Sequence, residues 1–283
     1  LASAVSNAGG LGLIGAGSMY PDVLREHIQK CKKATDKPFG VNVPMLYPDI
    51  EKIMEIIVEE DVKIVFTSAG NPKTWTNFLK EKGITVVHVV SSVKFALKAE
   101  AAGVDAVVCE GFEAGGHNGR EETTTFALIP MVKEQVQIPV IAAGGIGSGR
   151  GMLAAMVLGA NGVQVGSRFA ATKESSAHNN FKETIVNVKD GDTQLTLKEL
   201  APVRLVKNKF YQQVQELYKH NPTKEDIKEL LGRARAKKGM FEGDLENGEL
   251  EIGQVAGLIH EIKSAKEVVD EMMTEFEAIK KQF

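Results

Sequence analysis

The chain has 283 residues, 43% hydrophobic and 25% charged, an ordinary globular balance with room for one large barrel or two smaller domains. Its 34 Lys and Arg against 37 Asp and Glu leave a formal charge of −3, so no global basic field exists to attract nucleic acid. No apolar run reaches the roughly 18 residues needed to cross a bilayer, and the opening LASAVSNAGG lacks the regions of a signal peptide.

Two cysteines, Cys31 and Cys109, lie far apart without zinc spacing, so no metal is expected. Reduced structural thiols and a cytoplasmic location are the expectation.

In chain order, LASAVSNAGG reads as a helix running into a glycine cap. A crossover helix needs a strand before it, so a first strand is expected upstream of residue 1, consistent with the missing initiator Met. Seven β-branched runs follow: LGLIGA (11–16), FGVNV (39–43), KIVFTSA (63–69), TVVHVV (85–90), DAVVCE (105–110), PVIAAGG (139–145) and GVQVGSRF (162–169). Their near-continuous hydrophobicity predicts parallel strands buried on both faces.

Amphipathic stretches lie between most of them. PDIEKIMEIIVEED (48–61) should turn Ile53, Met54, Ile56 and Ile57 inward. SVKFALKAEAAG (92–103) should stop at Gly103, and GRGMLAAMVLGA (149–160) is a third helix. Alternating strands and helices imply βαβ units, in a (β/α)₈ barrel or an open doubly wound sheet. Residues 170–250 hold no strong strand and read as a helical cap, with KFYQQVQELYKH (209–220) and KEDIKELLGRARAKKG (224–239) as helices. Residues 251–283 read as C-terminal helices completing the barrel.

The literal G-x-G-x-x-G at Gly10, Gly12 and Gly15 leaves a helix and enters a strand, the reverse of a dinucleotide fingerprint, so a helix-cap role is expected. AAGGIGSGRG (142–151) and QVGSRF (164–169) instead follow the last two strands. Glycines there let backbone N–H groups approach an anion, and paired loops at these positions are the usual phosphate grip of a barrel. Gly145, Gly166 and Ser167 are the expected donors.

CEGFEAGGHNGREETTT (109–125) places Glu110, Glu113 and His117 among four glycines at a strand's carboxyl end, a loop costly to order unless it lies against a ligand. His117 can transfer protons near neutral pH. Asn42 could read a ring or a ribityl hydroxyl or merely cap a turn before Pro44, and Ser68, Ala69 and Gly70 leave room for a flat ring. His88 is expected within a strand, where it could face the barrel interior; His27, His178, His220 and His260 are expected to be structural. RARAKKG (233–239) reads as a solvated basic face.

The segments SNAGGLG (6–12), DKPFGVN (36–42), EGFEAGGHNG (110–119), PVIAAGGIGSGRG (139–151), VQVGSRF (163–169) and GQVAGLI (253–259) together resemble the nitronate monooxygenase and flavin-dependent enoyl-acyl-carrier-protein reductase group, in the family's order over nearly the whole chain. The resemblance implies an α/β fold, a (β/α)₈ TIM barrel binding FMN in residues 1–169 (strands 2 to 8), with the cap over the substrate channel. Family members begin with a strand whose Gly-Gly-Met or Gly-Pro-Met loop contacts the flavin, the segment expected upstream.

By the same resemblance the flavin contacts are Asn42, Glu110, Gly115, Gly116, Gly144, Gly145, Gln164, Val165, Gly166 and Ser167, and His117 is the catalytic group. Monooxygenases of the group usually carry Gln where Glu110 stands and continue GGHRG rather than GGHNG. TSAGNP and EGDLENGELEIGQVAGLI are also more similar to the reductases. The expectation is therefore an enoyl-acyl-carrier-protein reductase using NADH or NADPH on an enoyl thioester of acyl carrier protein or CoA. Nitronate oxidation with O₂ is the alternative, a non-catalytic flavin or phosphate binder the third reading, and a homodimer a candidate assembly.

Overall fold

Short runs of apolar residues build a two-faced parallel sheet in the computed structural model, which describes residues 1–17 and 19–282. The strands are β1 (Gly12–Gly15), β2 (Phe39–Pro44), β3 (Ile64–Ser68), β4 (Thr85–Val90), β5 (Ala106–Glu110), β6 (Gly116–His117), β7 (Val140–Ala143), β8 (Gly162–Gln164), β9 (Thr193–Thr196) and β10 (Val203–Val206). Seven of them form one sheet in the order β1-β2-β3-β4-β5-β7-β8, and every pairing in it is parallel. It curls with its helices outside, an α/β fold of the TIM-barrel type. β1 and β8 are its two edges. The C-terminal helix Ala265–Lys280 packs against both the helix Gly149–Val157 and the first helix Ala2–Asn7, spanning the outer layer between the ends of the sheet.

The period of two divides each strand between two cores. Val41, Val43, Val65, Val86, Val107 and Val140 point outward and are fully buried against the helices. Phe66, Val87, Val108 and Ala143 point inward and form a smaller cluster inside the curl. The helix Ile50–Glu59 buries Ile53, Met54, Ile56 and Ile57, as its spacing predicts. The helix Val93–Ala101 ends just before Gly103, whose φ of 85° only glycine adopts without strain. Cys31 and Cys109 are free and buried in the outer core, and burial pushes the Cys109 thiol up to about 12, which leaves it unreactive.

Three expectations need correction. His88 does not face the barrel interior. It shares the outward phase of Val86 and Val90, is 4% exposed, and lies with Nδ1 2.7 Å from Thr67 Oγ1. Burial depresses its imidazole to about 4, so it stays neutral. Nor is 170–250 purely helical: β9 and β10 pair antiparallel there, and β6 from the glycine loop joins β10's other edge. The helix predicted over 224–239 also stops at Leu231, where Gly232 takes a φ of 63°.

Within the cap, Leu197, Val203, Leu205, Phe210, Val214 and Ile227 form their own core. A further core joins Phe181 and Ile185 to Leu250, Ile252, Ala256 and Ile259 of the tail. In the basic stretch 233–239, Arg235 stacks 4.7 Å from the Phe210 ring and donates to the carbonyls of Leu230, Leu231 and Asn247. Lys237 and Lys238 pair with Glu242 and Asp244.

Gly149 marks a tight seam of the outer layer. A Cβ there would sit 2.2 Å from the Met272 carbonyl oxygen and 2.4 Å from Phe276 N, both backbone atoms of the C-terminal helix. Gly149→Ala should therefore push that helix outward and cost about 1–3 kcal/mol, read as a lower urea midpoint at unchanged slope; an unchanged midpoint would contradict this packing.

Candidate functional site

The register of the sheet brings the predicted residues together at its carboxyl end. Glu110 pairs with Ala143 across β5 and β7, and Ala143 pairs with Gln164 across β7 and β8. Registered partners on parallel strands point to the same face, and Ala143 belongs to the interior cluster. Glu110 and Gln164 therefore both face into the curl, on either side of an alanine that leaves space between them. Asn42 is registered with Phe66, another interior residue, and faces the same volume. Val165 has the opposite phase and packs into the outer core, so it offers the interior only its backbone.

These polar groups are not satisfied by the chain itself. Gln164 Oε1 is buried with no hydrogen-bond partner. Burial alone raises the Glu110 carboxyl to about 7, without a cation to hold it charged. Polar atoms held this way inside an apolar barrel fit a ligand that carries its own donors and acceptors.

One rung further on lie the glycine turns. Because Ala143 is registered with Gln164, Gly145 and Gly166 occupy equivalent places just past the ends of adjacent strands. Gly144 and Gly145 have φ of 94° and 70°, so the chain reverses there in a way side-chain residues resist. A Cβ on Gly166 would meet nothing within 4 Å, which makes it an open cradle rather than a packing point. Ser167 opens the short helix Ser167–Ala170, and its hydroxyl accepts from Gly253 N–H at 3.0 Å. Ser148 caps the helix Gly149–Val157 by accepting from Gly151 N–H at 3.1 Å. The donor set and open space suit a phosphate group.

The glycine loop between β5 and β6 is ordered by specific bonds. The Glu113 carboxylate accepts from Thr125 N–H at 2.9 Å and from Thr125 Oγ1 at 3.0 Å, so it caps the helix Thr125–Lys133 instead of facing the interior. Gly111 N–H donates to the Ala143 carbonyl, and Gln254 N–H to the Glu113 carbonyl. Gly115 and Gly116 have reasons for their identity within the chain. A Cβ at 115 would overlap the Ile252 carbonyl carbon at 2.4 Å, and one at 116, where φ is 76°, would lie 2.6 Å from Glu251 Oε2.

His117 is pinned, not loose. It pairs with Val203 of β10, and Gly116 pairs with Arg204. Its side chain is exposed, so the imidazole is open to an incoming molecule.

Three charged residues escaped the sequence reading. Arg204 is 2% exposed, lies 4.5 Å over the Phe112 ring, donates from Nε to the Phe112 carbonyl, and keeps Nη2 unpaired. Glu249 and Glu251 flank Leu250, and burial raises both carboxyls to about 7. The alternation in GELEI, acids at every second place between apolar residues, was the signal available for this pair.

Comparison with known proteins agrees with this architecture. The family model described as nitronate monooxygenase matches residues 1–55 and 47–275. A probable nitronate monooxygenase of Staphylococcus saprophyticus is 32% identical over 93% of this chain and 87% of its own length. A Mycobacterium tuberculosis protein named (3aS,4S,5R,7aS)-5-hydroxy-7a-methyl-1-oxo-octahydro-1H-indene-4-carboxyl-CoA dehydrogenase is 32% identical over 96% of this chain and 88% of its own. The solved structure of FabK from Thermotoga maritima superposes with a TM-score of 0.94 at 45% identity, covering 99% of this chain and 89% of that one. The chain belongs to the nitronate monooxygenase family, and it is an oxidoreductase.

Proposed function

We propose that this protein is an FMN-dependent enoyl-acyl-carrier-protein reductase. The observation that carries the reading is its likeness to Thermotoga FabK, a reductase of that type, at 45% identity over 99% of the chain. The other named relatives stand at 32%. The Mycobacterium relative carries a CoA thioester in its name, which supports a thioester substrate here.

Bound FMN would carry the redox chemistry, relaying hydride from NADH or NADPH to the β-carbon of a trans-2-enoyl thioester. Gly144, Gly145, Gly166 and Ser167 would hold its phosphate through backbone amides and a hydroxyl, and Asn42, Glu110 and Gln164 would meet its ring and ribityl chain. Glu110 differs from an amide in one respect: it donates a hydrogen bond only while protonated. Its carboxyl, raised to about 7, still carries that proton in much of the population at neutral pH. His117, exposed above the glycine loop, delivers a proton to the substrate α-carbon in this reading. The acyl carrier protein or CoA moiety would lie outside the mouth.

Three measurements test these assignments. Purified protein, reconstituted with FMN under nitrogen, should lose its yellow absorption on adding NADH or NADPH and regain it when a crotonyl thioester follows. No enoyl-dependent oxidation would end the reductase reading. The family name supports nitronate oxidation as a second reading, which predicts oxygen uptake with an alkyl nitronate and no need for NADH or NADPH.

His117→Ala should lower kcat about 100-fold or more while FMN stays bound, a loss in the range of a missing general acid. Unaltered turnover would remove His117 from the chemistry.

FMN affinity should weaken as pH rises through about 7, because Glu110 then loses the proton it donates and presents a buried negative charge. Glu110→Gln keeps a donor at every pH and should flatten that dependence. A steep profile that persists in the variant would place its cause elsewhere.

A further inference from the structure

The loop that carries His117 leaves the inner rung at Glu110 and comes to rest on β10 at Gly116 and His117. It is tied to the hairpin of β9 and β10 at several places. Asn118 N–H donates to the Pro202 carbonyl at 2.8 Å, and Arg120 donates to the carbonyls of Lys198 and Leu200 at 2.9 and 2.5 Å. These bonds lie after the histidine and use backbone carbonyls of the hairpin. The stretch before the histidine is held by a side chain of the hairpin, Arg204.

Arg204 grips this stretch twice. Its backbone is registered with Gly116, and its Nε donates to the Phe112 carbonyl at 3.1 Å. The centre of the guanidinium lies 4.5 Å from the centroid of the Phe112 ring. Nη1 reaches Thr193 Oγ1 on β9 at 3.4 Å, which ties the fork to the neighbouring strand. Phe112 is anchored from its other side, since its N–H donates to the Thr123 carbonyl at 2.9 Å. One residue of the cap thus holds the loop at both ends of the segment 112–116.

Stability does not account for an arginine here. Arg204 is 2% exposed, no carboxylate oxygen among the described residues lies within 4.0 Å of its nitrogens, and Nη2 has no hydrogen-bond partner. A buried cation without a counter-ion is destabilising, and an apolar side chain of similar volume is often the more stable choice. Burial this deep also closes the guanidinium to an incoming molecule, so it acts on the chain itself. Arginine supplies what lysine lacks, a rigid plane that stacks on a ring while donating in a fixed direction.

We propose that Arg204 is a positioning residue for His117: it clamps Phe112 so that the loop presents the imidazole to the substrate in one fixed place. The proposal rests on the reading of His117 as the group that gives the α-carbon its proton. It concerns the enoyl step alone, because hydride transfer from NADH or NADPH to FMN takes no proton from His117.

The test uses the full chain loaded with FMN, as wild type, Arg204→Met, Arg204→Lys and Phe112→Leu. Met keeps an apolar stem and removes the fork, Lys keeps the charge without the plane, and Phe112→Leu removes the ring beneath the fork. Hydrogen exchange reads the loop with no turnover. Amides of residues 111–117 should exchange faster in Arg204→Met than in wild type, with Arg204→Lys between them, while β3 and β4 stay unchanged. Under nitrogen, bleaching by NADH or NADPH should keep its rate within about twofold, and recovery on adding a crotonyl thioester should slow about tenfold or more, the scale of a misplaced catalytic group. KM for the thioester should not change, and Arg204→Lys should restore part of the rate. The deciding comparison adds His117→Ala: if Arg204 acts through the imidazole, Arg204→Met slows recovery no further once the imidazole has gone.

The same loss in the His117→Ala background, an equal slowing of the bleaching step, or wild-type exchange across 111–117 overturns the proposal. Should Arg204→Met not fold, Arg204→Lys and Phe112→Leu carry the same comparisons. A wild type that bleaches but does not recover with the thioester refutes the reductase reading instead, and the loop exchange still decides whether Arg204 holds the loop.

Discussion

The parallel register that aligns Glu110, Ala143 and Gln164 on one rung sets the position of nearly everything at the barrel mouth. A slip of one residue in β7 or β8 would turn Ala143 or Gln164 outward into the helix layer and separate Gly145 from Gly166. The register is held from outside the curl. Val107, Val140 and Ala142 are 0% exposed in the outer core, so a slip would bury polar atoms and expose valines at once. The outer packing stabilises the chain, and the same packing leaves the inner rung free to carry polar groups that contribute little to stability.

The glycine loop depends on a second constraint. Its ends are fixed by Glu113 on Thr125 and by β6 on β10, while the segment Ile252–Gly253 presses against Gly115. β10 is therefore part of what holds the loop. By pairing with Gly116 and His117, β10 orders the histidine without using its side chain, which stays open for chemistry. A substitution in β10 would be felt at the imidazole through two backbone pairings.

Seven strands were legible in the sequence because burial on both faces writes them as unbroken β-branched runs. The helix Ile50–Glu59 was legible because its apolar residues recur at helical spacing. Residues 193–206 were not. TQLT and VRLV are four residues each, one contains the buried Arg204, and runs this short hold too few periods to read. A two-residue strand such as Gly116–His117 has no period to read at all. The phase of His88 failed for another reason: TVVHVV is apolar on both faces, so alternation fixes which residues share a face and not which face is inside. Among the site residues, the phosphate-side glycines could be found from their place after the last two strands. Glu251 lies over 130 residues from Gly116 in the chain, and only the fold brings its carboxylate there.

Three carboxyls at one end of the barrel, Glu110, Glu249 and Glu251, are all raised from an ordinary value of 4.5 to about 7, and in each the first cause is burial. The sign of the linkage follows. The folded chain binds protons that the unfolded chain releases, so each group's contribution is fully present below about 4.5 and is lost as pH rises through about 7. Selection for stability alone would replace such residues with apolar ones of similar volume, a change that is often neutral or favourable at buried ionic sites. Their place at the same end as one unsatisfied glutamine is therefore best explained by chemistry there, since among the described residues the outer core holds no comparable group of buried carboxyls.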